Sequence, residues 1–368
     1  MHRSFSQTLC HRQRGVVALV LLSILVLVLS SVMVASISTN NIKSRKAKET
    51  TAALQRAKQA LFGYSAVQAV KGSLPCPDTD NPRDGRENRI AGVCQATLGG
   101  LPYRDLSTDD LRDASAAQLW YAVDPIYSDA NNLIARNSSV NGSYSLNGTS
   151  VAALVIAPGA TLDGQQRDNV VTANYLEGEN ANTSINTYAQ TTNAANNDLI
   201  QGLETAAYWH LNEQATLREA SDLLLAYRSA CGEYPWAADF TLAADDSIAN
   251  LQQGSFPLNS ALPINWNTGC ASGLLPSAAL ADHWSDQIYY AFCLNAEANC
   301  LSIIGDRVGN AAAVLIAPGT QLATQNRGNY MLAEYFEAEN ASGTRLFRWI
   351  APKNINGNFN DYLHIVSP

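Results

Sequence analysis

Charged residues are scarce in this sequence of 368: Asp, Glu, Lys and Arg together make 15%, against a usual level of about 25%. Asn, Ser, Thr and Ala fill the polar positions instead, a bias that accompanies exported and fibre-forming proteins. A basic excess is also missing, with 24 Lys and Arg against 32 Asp and Glu for a net charge of -8. Nucleic-acid binding needs a basic face to displace counterions from phosphate, so DNA and RNA are not expected partners. No Cys-x-x-Cys pair occurs, which argues against a zinc ribbon and a thioredoxin-like redox site. Nor is there a Gly-x-Ser-x-Gly, a Ser-x-x-Lys or a His-Glu-x-x-His, the short patterns that place a nucleophile or a zinc-bound water. Beyond the N-terminus the histidines are His210, His283 and His364, each isolated among aromatic or aliphatic neighbours and read as structural.

What the chain does have is a hydrophobic content of 46%, enough for a substantial core, and a length suited to one targeting or membrane element and two folded units. Its longest apolar run, Val16 to Ile37, contains no charge. At 1.5 Å per residue it makes a helix of roughly 30 Å, the thickness of a bilayer's hydrocarbon core, so a transmembrane helix is expected over 16–37. Arg3, Arg12 and Arg14 precede it, which keeps the first residues cytoplasmic and sends the remainder outward; Lys43, Arg45, Lys46 and Lys48 follow beyond the apolar run. A cleaved secretory signal has a shorter apolar core of about 7–15 residues, and Val34, Ala35 and Ser36 make only a weak cleavage site. Seven cysteines are present. Cys10 stands before the apolar run, and the other six allow fifteen connectivities in an oxidising compartment. Local spacing favours Cys76 with Cys94, Cys231 with Cys270, and Cys293 with Cys300.

The chain also resembles itself. Val151–Asn182 aligns without a gap on Ala311–Ser342, 160 residues later, with half the positions identical. Shorter matches surround it. Leu54, Ala57, Leu61 and Tyr64 match Leu217, Ala220, Leu224 and Tyr227; Gly72 and Pro75 match Gly232 and Pro235. Gln118, Tyr121 and Ala122 match Gln287, Tyr290 and Ala291, and Asn197 and Asp198 match Asn360 and Asp361. A period this long means two tandem domains rather than a solenoid. Each unit reads as a helix followed by strands: an amphipathic segment ending near Gly72, strands at Tyr121–Val123 and Ala152–Ala157 closed by Pro158 and Gly159, and a short helix at Asn169–Glu179. The second unit repeats this with a helix over Leu203–Arg228 and strands at Gln287–Cys293, Leu301–Ile304 and Ala311–Ala317. Asn-rich stretches near 131–148 and 182–197 read as exposed loops.

Arg12, Gln13, Arg14 and Gly15 followed at once by Val16, Val17, Ala18, Leu19 and Val20 resemble a type IV prepilin leader. In that family prepilin peptidase cuts after the glycine and the apolar helix stays on the protein. The resemblance implies cleavage between Gly15 and Val16, with an N-methylated Val16 as the first mature residue. Major pilins carry Glu at the fifth mature position; here it is Val20, which makes minor pilins and the Glu-less tip pseudopilin of type II secretion the closer comparison. The run Ala57, Lys58, Ala60, Leu61, Gly63, Tyr64, then Gly72, Leu74, Pro75, Cys76, Pro77, Asp78, then Leu101 and Pro102, and the ending Asn358 to Leu363, are similar in order to pilin-like heads. The expected fold is therefore α+β: a leader (1–15), a transmembrane helix (16–37) and two tandem pilin-like units (38–200 and 201–368), each a helix packed on an antiparallel sheet. The expected function is a non-enzymatic minor pilin or pseudopilin, single-pass in a bacterial inner membrane with both units in the periplasm, and partnered by other pilins or pseudopilins and by prepilin peptidase. The alternatives are a membrane-anchored periplasmic binding or adhesive protein that does not polymerise, and an anchored hydrolase.

Three groups of residues are candidate sites. Asp78, Asp80, Asp84 and Glu87 form an oxygen-rich loop that could hold Ca²⁺, although their spacing is not that of an EF-hand; a solvated acidic loop held by a disulfide is the plainer reading, and no other cofactor is expected. Glu177, Glu179, Glu337 and Glu339 are the nearest candidates for paired catalytic carboxylates, but their duplication favours a structural role, with Arg167 and Arg327 as their expected partners. Trp236, Trp266 and Trp284 cluster in the second unit and are read as core rather than as a ligand platform.

Overall fold

The computed structural model describes the chain outside residues 1–10, 129–136, 192, 194, 243–245, 259–262, 285–286, 295–298, 352–353, 355–357 and 368, and describes the side chains of the N-terminal helix outside 11–18 and 31–40. It contains two compact units, Met1–Ala53 and Leu54–Pro368. The long helix α1, His11–Val67, contributes to both.

The transmembrane expectation is corrected. Among the described residues no helix is long and apolar enough to cross a membrane. The described part of the apolar stretch, 19–30, is exposed along its length. The leader falls largely outside the described residues, and the side chains of Gly15 and Val16 are likewise not described.

Both repeats lie within Leu54–Pro368 and share one strand order. In the first, β1 (Leu98–Gly100), β2 (Trp120–Val123), β3 (Thr149–Ala157) and β4 (Leu199–Glu204) pair antiparallel in the order β1-β2-β3-β4. A short strand at Ser145–Leu146 also pairs with β3 and runs parallel to Thr187–Tyr188. After the helix α2 (Thr205–Cys231) comes the second set: β5 (Gln253–Ser255), α3 (Ala278–Trp284), β6 (Tyr289–Phe292), β7 (Leu301–Gly305), β8 (Gly309–Ala311), β9 (Ala313–Ala317), β10 (Leu346–Trp349) and β11 (Tyr362–Ser367). Its main sheet has the order β5-β6-β9-β11, and β7 again pairs antiparallel with β8 and parallel with β10. Even the register is copied, Trp120 opposite Ile156 and Tyr289 opposite Ile316. The central strands β2, β3, β6 and β9 are near-continuous buried apolar runs, as expected of strands covered on both faces.

Helical spacing decides which residues the helices bury. Leu54, Ala57 and Leu61 on α1 are buried, as are Leu217, Ala220, Leu224 and Tyr227 on α2, the two sets that match in sequence. Gln55 Nε2 donates to Gln201 Oε1 at 2.8 Å, tying α1 to β4, while α2 lies against β9 and β11. α2 stops at Gly232, which takes the left-handed conformation (φ 85°) and donates its N–H to the Arg228 carbonyl, a glycine C-cap. Disulfides join Cys76–Cys94, Cys231–Cys270 and Cys293–Cys300, the pairings that local spacing favours. The short helix expected at Asn169–Glu179 is instead two 3₁₀ turns, Thr172–Asn174 and Gly178–Ala181. The Asn-rich stretch near 131–148 is not wholly exposed, because Asn137 and Ser138 are buried and Asn137 donates to the His283 carbonyl on α3.

Candidate functional site

The best-matched part of the duplication builds the same polar cluster twice. It starts at the Pro-Gly turn that ends β3 and β9. Gly159 (φ +67°) and Gly319 (φ +66°) sit in the left-handed region, and a Cβ there would come within 2.9 Å of Asn197 Cγ and 2.5 Å of the Asn360 carbonyl, so both turns require glycine. Arg167 closes the first turn by donating to the carbonyls of Gly159 (2.7 Å) and Pro158 (3.1 Å). Arg327 donates to Gly319 (2.9 Å) and Pro318 (3.0 Å) in the second. The expected arginine–glutamate pairs do not form, because the turn carbonyls hold each guanidinium and a glutamine stands between. Gln165 donates to Glu177 and Gln325 to Glu337, both at 2.6 Å.

Each glutamate then joins an aspartate. The Glu177 N–H donates to Asp198 Oδ2 (3.1 Å) and the Asn197 N–H to Glu177 Oε2 (3.1 Å); Glu337, Asp361 and Asn360 repeat this at 2.9 and 3.0 Å. Asn180 and Asn340 donate to the same aspartate oxygens, each at 3.0 Å. Burial first, then the neighbouring glutamate, pushes the Asp361 carboxyl well above its ordinary range; burial chiefly pushes Asp198 up to about 7. Each aspartate has one buried oxygen without a hydrogen-bond partner among the described residues. The arrangement is a clasp tying the loop after β3 or β9 to the start of β4 or β11. Its donors are the chain's own backbone and amides, so the pair is engaged internally, and Gln165 and Glu177 also line an open cavity of about 850 Å³.

Glu179 and Glu339 are not part of the clasp. Glu179 is exposed, and Glu339 accepts both donors of Arg348 at 2.5 and 2.6 Å, which holds the Glu339 carboxyl below the usual carboxylate range. This pair is at the surface, so Glu339→Gln is expected to cost no more than about 1 kcal/mol, with the difference shrinking in high salt; denaturant titration at two ionic strengths measures it.

The acidic loop brings Asp78, Asp80 and Asp84 together, with carboxylate oxygens within 4.8 Å of one another. Glu87 does not join them: it accepts the Cys76 N–H at 2.8 Å and pairs with Arg89 at 2.9 Å. Asp78 accepts the N–H groups of Gly85 (2.6 Å) and Asp80 (3.0 Å), and burial raises its carboxyl above the ordinary value. His210 Nε2 bonds with Gln214 at 2.8 Å, and burial lowers its pKa as it does that of His364. Trp266 and Trp284 are buried, which removes them as a ligand platform.

Two features had no sequence signal. A polar cavity of about 490 Å³ opens in the first repeat, lined by Arg83, Arg112, Gln118, Arg167, Asn169 and Tyr175 among others. Glu213, fully buried on α2, receives no well-formed hydrogen bond at either oxygen. Comparison with known protein families, curated proteins and solved structures finds no match to this chain.

Proposed function

We propose that the chain is a non-enzymatic structural subunit of the minor pilin or pseudopilin kind, built into an assembly through the N-terminal part of α1. The observation that carries this reading is the exposed apolar surface of that helix. Leu19, Leu22, Val26 and Leu29 recur at helical spacing, each more than half exposed, and Leu21, Leu25 and Val28 make a second row. Apolar surface left in water is unfavourable by about 25 cal/mol per Å², and two rows on one helix suit burial among several neighbouring helices of the same composition. Those neighbours are the corresponding helices of sister subunits. Val20 in place of the buried glutamate of a shaft subunit favours a minor or tip position.

Three disulfides support an oxidising compartment outside the cytoplasm, and internally engaged carboxyl clasps support a structural role over a catalytic one. Processing by prepilin peptidase after Gly15 precedes assembly. In cells with active peptidase, Gly15→Ala is expected to leave the leader attached and keep the protein out of any polymer, as read by intact-mass measurement. A leader removed from the variant as efficiently as from the parent contradicts the reading. A binding or adhesive role is favoured by one separate observation, the arginine-lined cavity of the first repeat.

A further inference from the structure

The two repeats place equivalent groups in different surroundings, and the second repeat displays what satisfies them. There, Arg327 and Gln287 are bridged by one hydroxyl: Arg327 donates to Ser139 Oγ at 3.2 Å, and Ser139 Oγ donates to Gln287 Oε1 at 2.9 Å. The bridging serine comes from the 137–140 segment of the first repeat, so the site is filled from within the chain. Above it Phe240 packs on Tyr289 and Tyr335, with ring centroids 6.0 and 5.0 Å apart. All three rings are buried.

In the first repeat the corresponding residues, Arg167 and Gln118, line the open cavity of about 490 Å³, a size typical of small-molecule sites. Tyr175 and Trp120 correspond to Tyr335 and Tyr289. The partner lying over the sheet aromatic is no longer a phenylalanine: the Arg83 guanidinium lies 3.8 Å from the Trp120 ring centroid. Arg83 makes no hydrogen bond among the described residues, and its Nε and that of Arg167 are buried without partners. Burial lowers Arg83 to about 10, against the pull of Asp78 and Tyr175, so it stays charged at neutral pH. Arg112 is already engaged by Asp110, at 2.9 and 2.5 Å, and by the Ala116 carbonyl at 2.8 Å. Asp168 is the one carboxylate on the cavity wall. In a chain of net charge -8 this wall is locally basic.

We propose that this cavity binds a hydroxylated carboxylate of the acidic-sugar class, with its carboxylate on Arg83, a ring hydroxyl between Arg167 and Gln118 in the manner of Ser139, and a sugar face on Tyr175. A partly buried guanidinium without hydrogen-bond partners calls for an anion; the hydroxyl requirement is read from the twin site, and the Tyr175 ring suits the apolar face of a pyranose. The proposal stands independently of the assembly role.

The test is calorimetric titration of the full-length chain with sodium D-glucuronate, D-glucose and sodium acetate. Glucuronate is expected to bind at least about tenfold more tightly than either of the others, since each of them lacks one of the two recognised groups. Arg83→Met, which keeps an apolar stem on Trp120, is expected to weaken glucuronate binding by about tenfold or more with little change in melting temperature. Ser115→Trp, at an exposed position on the cavity wall, is expected to block binding without removing any recognition group. Equal binding of acetate and glucuronate overturns the sugar assignment, as does equal binding of glucose. Absence of glucuronate binding, or binding unchanged in both variants, overturns the site.

Discussion

Replacing Asn340 by alanine is expected to lower the stability of the chain by about 3 kcal/mol. Its side chain is fully buried and serves three bonds: it accepts the Arg348 N–H at 2.8 Å and donates to the Arg348 carbonyl at 3.2 Å and to Asp361 Oδ2 at 3.0 Å. Alanine leaves a backbone donor and a backbone acceptor without these partners, and strips one donor from a carboxyl pair that has few others. Asn180, which repeats the pattern with Ala189 and Asp198, is expected to cost a similar amount. Urea titration of both variants checks the claim. A loss below about 1 kcal/mol in either would mean that the clasp is incidental to the fold.

Glu213→Gln is expected to stabilise the protein by about 3 kcal/mol at pH 8 and to change little in mild acid. Burial lifts this carboxyl from 4.5 to about 7, against the pull of Ser138, Arg327 and the Gly319 N–H, with Glu337 adding to the rise. The folded state thus holds the proton more tightly than the unfolded chain. Glu213's contribution is complete below about pH 4.5 and is lost as pH rises through 7, at about 1.4 kcal/mol per pKa unit. Asp198, raised to about 7, and Asp361, raised further, add losses of the same sign, so the parent protein is expected to be more stable near pH 5 than at pH 8. Glutamine keeps the shape without the charge, while Arg327 retains its turn carbonyls and Ser139. Thermal melts of parent and variant from pH 4.5 to 8 measure the difference. A variant that melts below the parent at pH 8 would mean that the pull of Arg327 outweighs desolvation.

The fold was legible where it is local or repeated. A half-identical 32-residue alignment leads directly to two sheets with one strand order, because β3 and β9 and the loops after them carry the clasp residues that made the repeat visible. The three disulfides followed from spacing, since their partners are close in sequence. The membrane span over 16–37 rested on hydropathy alone, and among the described residues no helix is long and apolar enough to cross a membrane. The site residues were visible, but their wiring was not. Arg167 and Glu177 are opposite charges ten positions apart, yet a Pro-Gly turn has the stronger geometric claim on the guanidinium and Gln165 reaches the carboxylate first. Arg83 lies within the acidic loop in sequence, and its place over Trp120 depends on a contact 37 positions away. Glu213 sits in the buried stripe of α2 with Asn212, Thr216 and Leu217, where a charged letter in an amphipathic pattern reads by default as surface.

These threads bear on one claim: the apolar end of α1 is retained on the finished protein as a packing surface. Mass spectrometry of the N-terminus of protein isolated from its native cells tests it most directly. The account predicts a chain that begins at Val16 with an N-methyl group. A chain that still begins at Met1, or one whose first residue lies beyond Ile37, would contradict it.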